Sequence, residues 1–194
     1  VSCDSEKANT VYPKVVLKYD FNSSASYKVA VSKVKGMKLE QKKVDIYGPV
    51  SIGMGTDAKD NIYVLDIPRN TGYMDIVVGN VGRGDAIVSK DLIVRQTHDP
   101  RVSSFNFRSC TGVGTIQTSG ANGDRTIILK DLFGGKKFYL GIGESFTINC
   151  VFDIPKDVGE YNEYTFDFTI PYTYEESKTG GGVTIDYKPC SQLI

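Results

Sequence analysis

Apolar residues in this chain come in short clusters, and wherever a period is visible it is two. Tyr27, Val29 and Val31 alternate with Lys28, Ala30 and Ser32, and Phe166, Phe168 and Ile170 alternate with Asp167 and Thr169. A period of two sends successive side chains to opposite faces of a strand, one buried and one wet, and no segment carries the spacing of a three-turn amphipathic helix. Turn signals punctuate the runs at Tyr47-Gly48-Pro49, Asn70-Thr71-Gly72, Gly79-Asn80-Val81-Gly82, Asn122-Gly123-Asp124, Gly134-Gly135 and Gly180-Gly181-Gly182. Asn-Gly and Gly-Gly supply the positive torsions that tight hairpins demand. The pattern predicts an all-β chain, an antiparallel β-sandwich or partly closed barrel. Its strands are expected at 14–19, 27–34, 38–46, 62–67, 73–78, 87–96, 104–108, 114–118, 126–130, 137–140, 145–154, 164–172 and 183–187.

The length of 194 residues suits a single domain, taken as residues 1–188, with Lys188-Pro189-Cys190 opening a tail or linker over 189–194. No window approaches the length of a membrane span, so membrane insertion is not expected. Val1-Ser2-Cys3, without an initiator Met or a basic, apolar leader, reads as the start of a processed, secreted chain. Cys3, Cys110, Cys150 and Cys190 form no Cys-x-x-Cys pair, which argues against a zinc knuckle or a redox site and for disulfides. Three pairings are open. Cys110 with Cys150 is favoured because both lie in or beside strand-like runs, which leaves Cys3 with Cys190 by default.

Charge narrows function. The 23 basic and 23 acidic side chains cancel, so no overall field draws the chain to nucleic acid. His98 is the sole imidazole, too few for a His-rich metal hydrolase. Along the chain the balance is uneven: residues 14–43 carry eight lysines against Asp20 and Glu40, and 153–176 carry seven acids against Lys156. Two neighbouring strand groups with wet faces account for this, and a basic patch for a sialylated or sulfated glycan is the sharper alternative.

The motifs that suggest chemistry are weak. Arg83-Gly84-Asp85 is an integrin-type tripeptide in a Gly-rich turn that hairpin chemistry explains by itself. His98-Asp99 has no Gly-x-Ser-x-Gly elbow to serve. Asp57, Asp60 and Asn61 lack the spacing and terminal Glu of a calcium loop. Glu160 with Glu163, or Glu175 with Glu176, would need to face each other across a cleft to hydrolyse a glycoside. Asn22-Ser23-Ser24 fits a glycosylation acceptor. No cofactor and no enzymatic activity are expected.

The stretch Phe152-Asp-Ile-Pro-Lys-Asp-Val-Gly-Glu-Tyr161, followed by Tyr164-Thr-Phe-Asp-Phe-Thr-Ile-Pro-Tyr-Thr-Tyr174, resembles the last hairpin of receptor-binding domains at the tips of chaperone-usher fimbriae. The resemblance implies an elongated, immunoglobulin-like lectin-domain sandwich whose two ends lie far apart. It also implies a non-catalytic, lectin-like adhesin carried through the periplasm to the fimbrial tip at the bacterial surface. Its partners would be a host cell-surface glycan or glycoprotein, and the periplasmic chaperone and fimbrial subunits through a following pilin domain. Without Trp, Tyr must supply the sugar platform. Candidate contacts are Arg101, Arg108, Asp124, Arg125 and Tyr174, polar or amphipathic residues in or near predicted loops. The alternative is a structural fimbrial subunit or cell-surface interaction module without its own ligand site.

Overall fold

A computed structural model describes residues 9–40, 48–65, 70–181 and 183–185. In chain order its strands are β1 (Asn9–Val11), β2 (Lys14–Ser32), β3 (Val50–Thr56), β4 (Ile62–Val64), β5 (Thr71–Asn80), β6 (Asp85–Val88) and β7 (Leu92–Thr97), followed by β8 (Asn106–Cys110), β9 (Thr115–Ala121), β10 (Asp124–Lys130), β11 (Phe138–Leu140), β12 (Ser145–Asp153), β13 (Tyr161–Thr179) and β14 (Val183–Ile185). Two single-turn 3-10 segments, Lys59–Asn61 and Leu132–Gly134, are the described helical structure.

The alternation around Phe166 becomes the spine. β13 pairs β2 along all of its length, from Tyr161 opposite Ser32 to Thr179 opposite Lys14. Its other edge is shared, by β7 from Thr165 to Thr169 and by β6 from Tyr172 to Glu175. β10 and β9 continue the sheet beyond β7, β11 beyond β6, and β4 joins β2 in a short parallel pair. A second sheet, in the order β3-β5-β12-β8, packs over this one, giving an all-β, predominantly antiparallel sandwich.

The period of two decides what lies between the sheets. The even residues of β13 from Tyr164 to Tyr174 are at most 3% exposed, while their odd neighbours face outward. Phe105 sits at the centre, its ring 4.6 Å from Tyr164 and 4.9 Å from Phe152 in edge-on contacts. Such contacts add to the large apolar area that each ring buries. Opposite Cys110 in the β8–β12 register stands Cys150, and the two form the expected disulfide. Cys3 and Cys190 lie outside the described residues.

Several expectations change. The runs at 14–19 and 27–34 fuse into β2, because the polar middle of the strand finds partners in β3. There the Ser23 hydroxyl donates to the Val50 carbonyl, and the Tyr27 hydroxyl donates to that of Ile52 at 2.7 Å. β3 itself was not anticipated, since Gly53 and Gly55 mask its alternation. The run at 87–96 divides at residues 89–91 into β6 and β7. Residues 38–40 are not a strand, and 41–47 lie outside the described residues. β13 runs on to Thr179. β1 pairs β14, Asn9 opposite Ile185, so the described ends run side by side, where the fimbrial resemblance implied separated ends.

The uneven charge finds its explanation in the same register. β2 carries lysines and β13 acids; the ladder sets Lys18 directly opposite Glu175 at 2.6 Å, and Lys28 reaches diagonally to Glu163 at 2.8 Å. Exposed pairs of this kind contribute about 1 kcal/mol or less each. They favour this strand alignment more than they stabilise the fold.

Candidate ligand-binding surface

The five sequence candidates do not form one site. Arg101, Asp124 and Arg125 lie at one end of the sandwich, where the His98 N–H donates to the Gly123 carbonyl at 3.0 Å and Asp124 stands opposite Thr97. Arg101 is engaged by Asp99, whose carboxyl the guanidinium hydrogen bonds hold down at about 2. Asp124 accepts two bonds from Arg95, at 2.8 and 2.6 Å, which pull its titration below the usual carboxylate range. Arg125 points to the other side of β10 from Asp124, and its charge opposes protonation of His98. Arg108 belongs to the smaller sheet, paired with Asp153.

Tyr174 needs a correction. It stands in β13 rather than in a loop, nine residues from Thr165 and hence about 30 Å along the strand from the Asp124 end. It is 3% exposed, and its hydroxyl accepts the Gly84 N–H. Its role is to close the core under the β5–β6 turn.

The same turn settles Arg83-Gly84-Asp85. A Cβ at Gly84 would fall 2.2 Å from the Glu175 carbonyl oxygen, so the tripeptide is pressed against β13 and held, not presented on a flexible loop. His98 is half-buried instead of exposed: its ring stacks on Tyr164 at 4.8 Å, and Nε2 lies 3.2 Å from the Val102 carbonyl. Burial lowers its pKa. Ser104 Oγ approaches Nε2 at 3.3 Å, yet the group on Nδ1 is Gln96, not a carboxylate, so no charge-stabilised triad is assembled. Asp57 is occupied by the Tyr63 hydroxyl and the Tyr73 N–H, and no cluster of three or more metal-ligating side chains occurs among the described residues.

A different surface gathers polar groups around an apolar floor. On the outward face of the larger sheet, the ladder aligns Asp20 of β2, Thr173 of β13, Ile87 of β6 and Tyr139 of β11 in one cross-strand row. In the next row Asn22 lies opposite Pro171. The Ser89 N–H donates to the Pro171 carbonyl at 2.9 Å, so the edge of Pro171 that carries no N–H faces the gap where β6 and β7 separate. Proline in a central strand usually breaks a ladder. Here β13 is changing neighbours, and the ladder forfeits only the reciprocal bond from residue 171 to the Ser89 carbonyl.

The parting of β6 and β7 leaves a depression of about 290 Å³, lined among others by Asp20, Asn22, Ser89, Lys137, Pro171 and Thr173. The Thr173 hydroxyl donates to Asp20 at 2.6 Å, fixing one carboxylate oxygen and leaving the other for a ligand. Asn22 and Lys137 are exposed at the rim, and Tyr139, 64% exposed, stands at the end of the row. An amide, a carboxylate, hydroxyls and an ammonium around Ile87 and Pro171 can exchange hydrogen bonds with several hydroxyls while an apolar patch rests on the floor. The ammonium and the carboxylate offset each other. The surface therefore suits a neutral polyol better than a strongly anionic one.

Sequence reasoning passed over this surface because its residues are far apart in the chain. Asp20 counted only as an acid among lysines, Asn22 as a glycosylation acceptor, and Pro171 as part of the fimbrial likeness. The one local signal was a proline inside a strong strand pattern.

The sequence matches no family model and no curated protein. Among solved structures, the chain is similar to the envelope protein VP37 of White Spot Syndrome Virus. That likeness covers 79% of this chain and 98% of that one, at 11% identity and a TM-score of 0.32. A likeness of this size says nothing about function.

Proposed function

We propose that this chain is a non-catalytic binding domain that holds a neutral saccharide in the outward-face depression of its larger sheet, as a secreted adhesin would hold a host glycan or glycoprotein. The observation that carries the reading is the convergence of Asp20, Asn22, Ser89, Lys137 and Thr173 on a floor of Ile87 and Pro171, with the exposed Tyr139 next to Ile87 in the same cross-strand row. Sugars present just this mixture, hydroxyls in fixed directions above an apolar face of C–H groups, and an exposed tyrosine is a suitable platform for that face.

The reading is tested on a glycan array followed by calorimetry. Wild-type protein binds a defined set of neutral glycans, and Asp20→Ala or Tyr139→Ala weakens binding at least tenfold, about 1.4 kcal/mol. Arg101→Ala and Arg108→Ala leave it unchanged. A silent array, or binding lost with Arg101 and kept without Asp20, overturns the proposal. A second reading, an interaction module without its own ligand site, draws support from the exposed apolar residues Val15, Leu17 and Phe21 on β2. It predicts a silent array.

A further inference from the structure

Among the described residues, β2 leaves the body of the sandwich with one edge open. Its described ladder partners are β13 along its length and β4 at Ala30–Ser32, so residues 14–22 present a row of backbone N–H and C=O groups with no described strand beside them. The smaller sheet stops short of this segment. β3 begins at Val50, which the hydrogen bond from the Ser23 hydroxyl places level with Ser23, and the nine residues from Lys14 to Asn22 run on for about 30 Å. On the face that continues the core, Val15, Leu17, Tyr19 and Phe21 remain 59%, 60%, 42% and 45% exposed. Tyr19 and Phe21 rest on Tyr174 and Tyr172, with ring centroids 5.4 and 6.1 Å apart, while Val15 and Leu17 have only Lys178 and Glu176 opposite them.

Proteins ordinarily guard such an edge with lysine, inward-pointing charges, proline or a bulge, and here Lys14 and Lys18 stand only on the outward face. None of these stands at residues 15, 17, 19 or 21. The four side chains leave uncovered on the order of 400 Å² of mostly apolar surface, the size at which a patch marks an interface.

We propose that this edge pairs with the same edge of a second copy, antiparallel about a two-fold axis through Tyr19. Residues directly opposite in an antiparallel ladder share a face, so a two-fold pairing of one strand with itself must centre on a residue. Centring on Lys18 sets ammonium against ammonium, and centring on Asp20 sets carboxylate against carboxylate. Centring on Tyr19 places Lys18 against the partner's Asp20 twice, and Leu17 against the partner's Phe21 twice. Charge excludes the two adjacent registers; centring on Leu17 would set Lys14 against Asp20 but leave Phe21 opposite Pro13, so the apolar stripe decides for Tyr19. Because the strands run in opposite directions, the two overhangs lie side by side, and each reaches the body of the other only at Ser23 and Ser24. The pairing covers the lateral side of these four residues and the free strand edge of each copy, while the face above them, which the smaller sheet does not reach, stays open. The two larger sheets become one, and the two depressions, each bordered by Asp20 and Asn22, come to flank the axis and form a bivalent surface.

Sedimentation equilibrium from about 1 to about 100 μM shows a monomer–dimer equilibrium if the pairing forms. Leu17→Lys weakens it at least tenfold without changing the circular dichroism or the melting temperature, since the residue is exposed in the monomer. Lys18→Asp weakens it too, and Lys18→Asp with Asp20→Lys restores it. After mild oxidation, Tyr19→Cys is recovered as a disulfide-linked dimer, because residue 19 faces itself. Val16→Cys, which faces the partner's Asn22, is not. A monomer throughout the range, a dimer indifferent to Leu17→Lys, or equal cross-linking at positions 16 and 19 overturns the proposal. Glycan binding is read on the Leu17→Lys variant, whose substituted residue does not line the depression, rather than on any Asp20 variant, so the two readings fail separately.

Discussion

Replacing Asn80 by alanine tests whether one buried amide organises the end of the sandwich on which the depression depends. Asn80 is 1% exposed. Its Nδ2 donates to the carbonyls of Gly84 at 2.7 Å and Leu140 at 3.0 Å, and its Oδ1 accepts the Gly82 N–H at 3.0 Å. It thus ties the β5–β6 turn to the end of β11, and so positions the strands that carry Ile87 and Tyr139. Asn80→Ala removes three hydrogen bonds and orphans three backbone groups, each at a cost of about 1 to 3 kcal/mol when water cannot reach it. The turn borders solvent and recovers part of that. A net loss of about 3 to 4 kcal/mol is expected, which for a chain of this size lowers the melting temperature by about 10 °C. Asn80→Asp keeps the acceptor for Gly82 but sets a carboxylate against two carbonyl oxygens, so it costs at least as much. Urea titration checks both variants through the midpoint at constant slope. A loss below about 1 kcal/mol for Asn80→Ala, with the slope unchanged, would refute the assignment of Asn80 as the knot of this end.

Other consequences are open to measurement. Replacing Cys110 and Cys150 together by alanine removes a closure between residues 40 apart and costs about 4 kcal/mol in the chain-entropy account, read by the same titration. Tyr174→Phe leaves the Gly84 N–H without its acceptor and costs about 1 to 2 kcal/mol, while any glycan affinity is unchanged. Burial lowers the pKa of His98 from 6.5, so the folded state binds its proton less readily than the unfolded chain does. The stability this gives is fully present above that unfolded value and is lost progressively as pH falls from there through the lower, folded value. His98→Gln should therefore flatten the fall in melting temperature between about pH 7 and 5.5, well above the range where Asp99 titrates.

The span from Tyr164 to Tyr174 is the spine of the sandwich, and Pro171 within it marks the place where β6 and β7 part. Tyr174, chosen as a contact for lying near a supposed loop, is core. The alternation already placed it on the same face as Phe166 and Phe168, and that evidence outweighs nearness to a turn.

The sequence by itself determined the class of fold and the buried face of each strong strand, because both follow from local alternation, and it favoured one disulfide among three open pairings, which the structure then showed. It also determined the complementary charge of β2 and β13, since runs of lysine and of acid survive any folding. Only the tertiary structure decided that these two strands are neighbours over nineteen residues, that serines in the middle of β2 are satisfied by β3, and that Asp20, Asn22, Ser89 and Lys137 border one depression. The reason is physical. Periodicity reports which face of a strand is wet, whereas register between distant strands depends on every cross-strand contact at once, and a binding surface lies wherever those registers align.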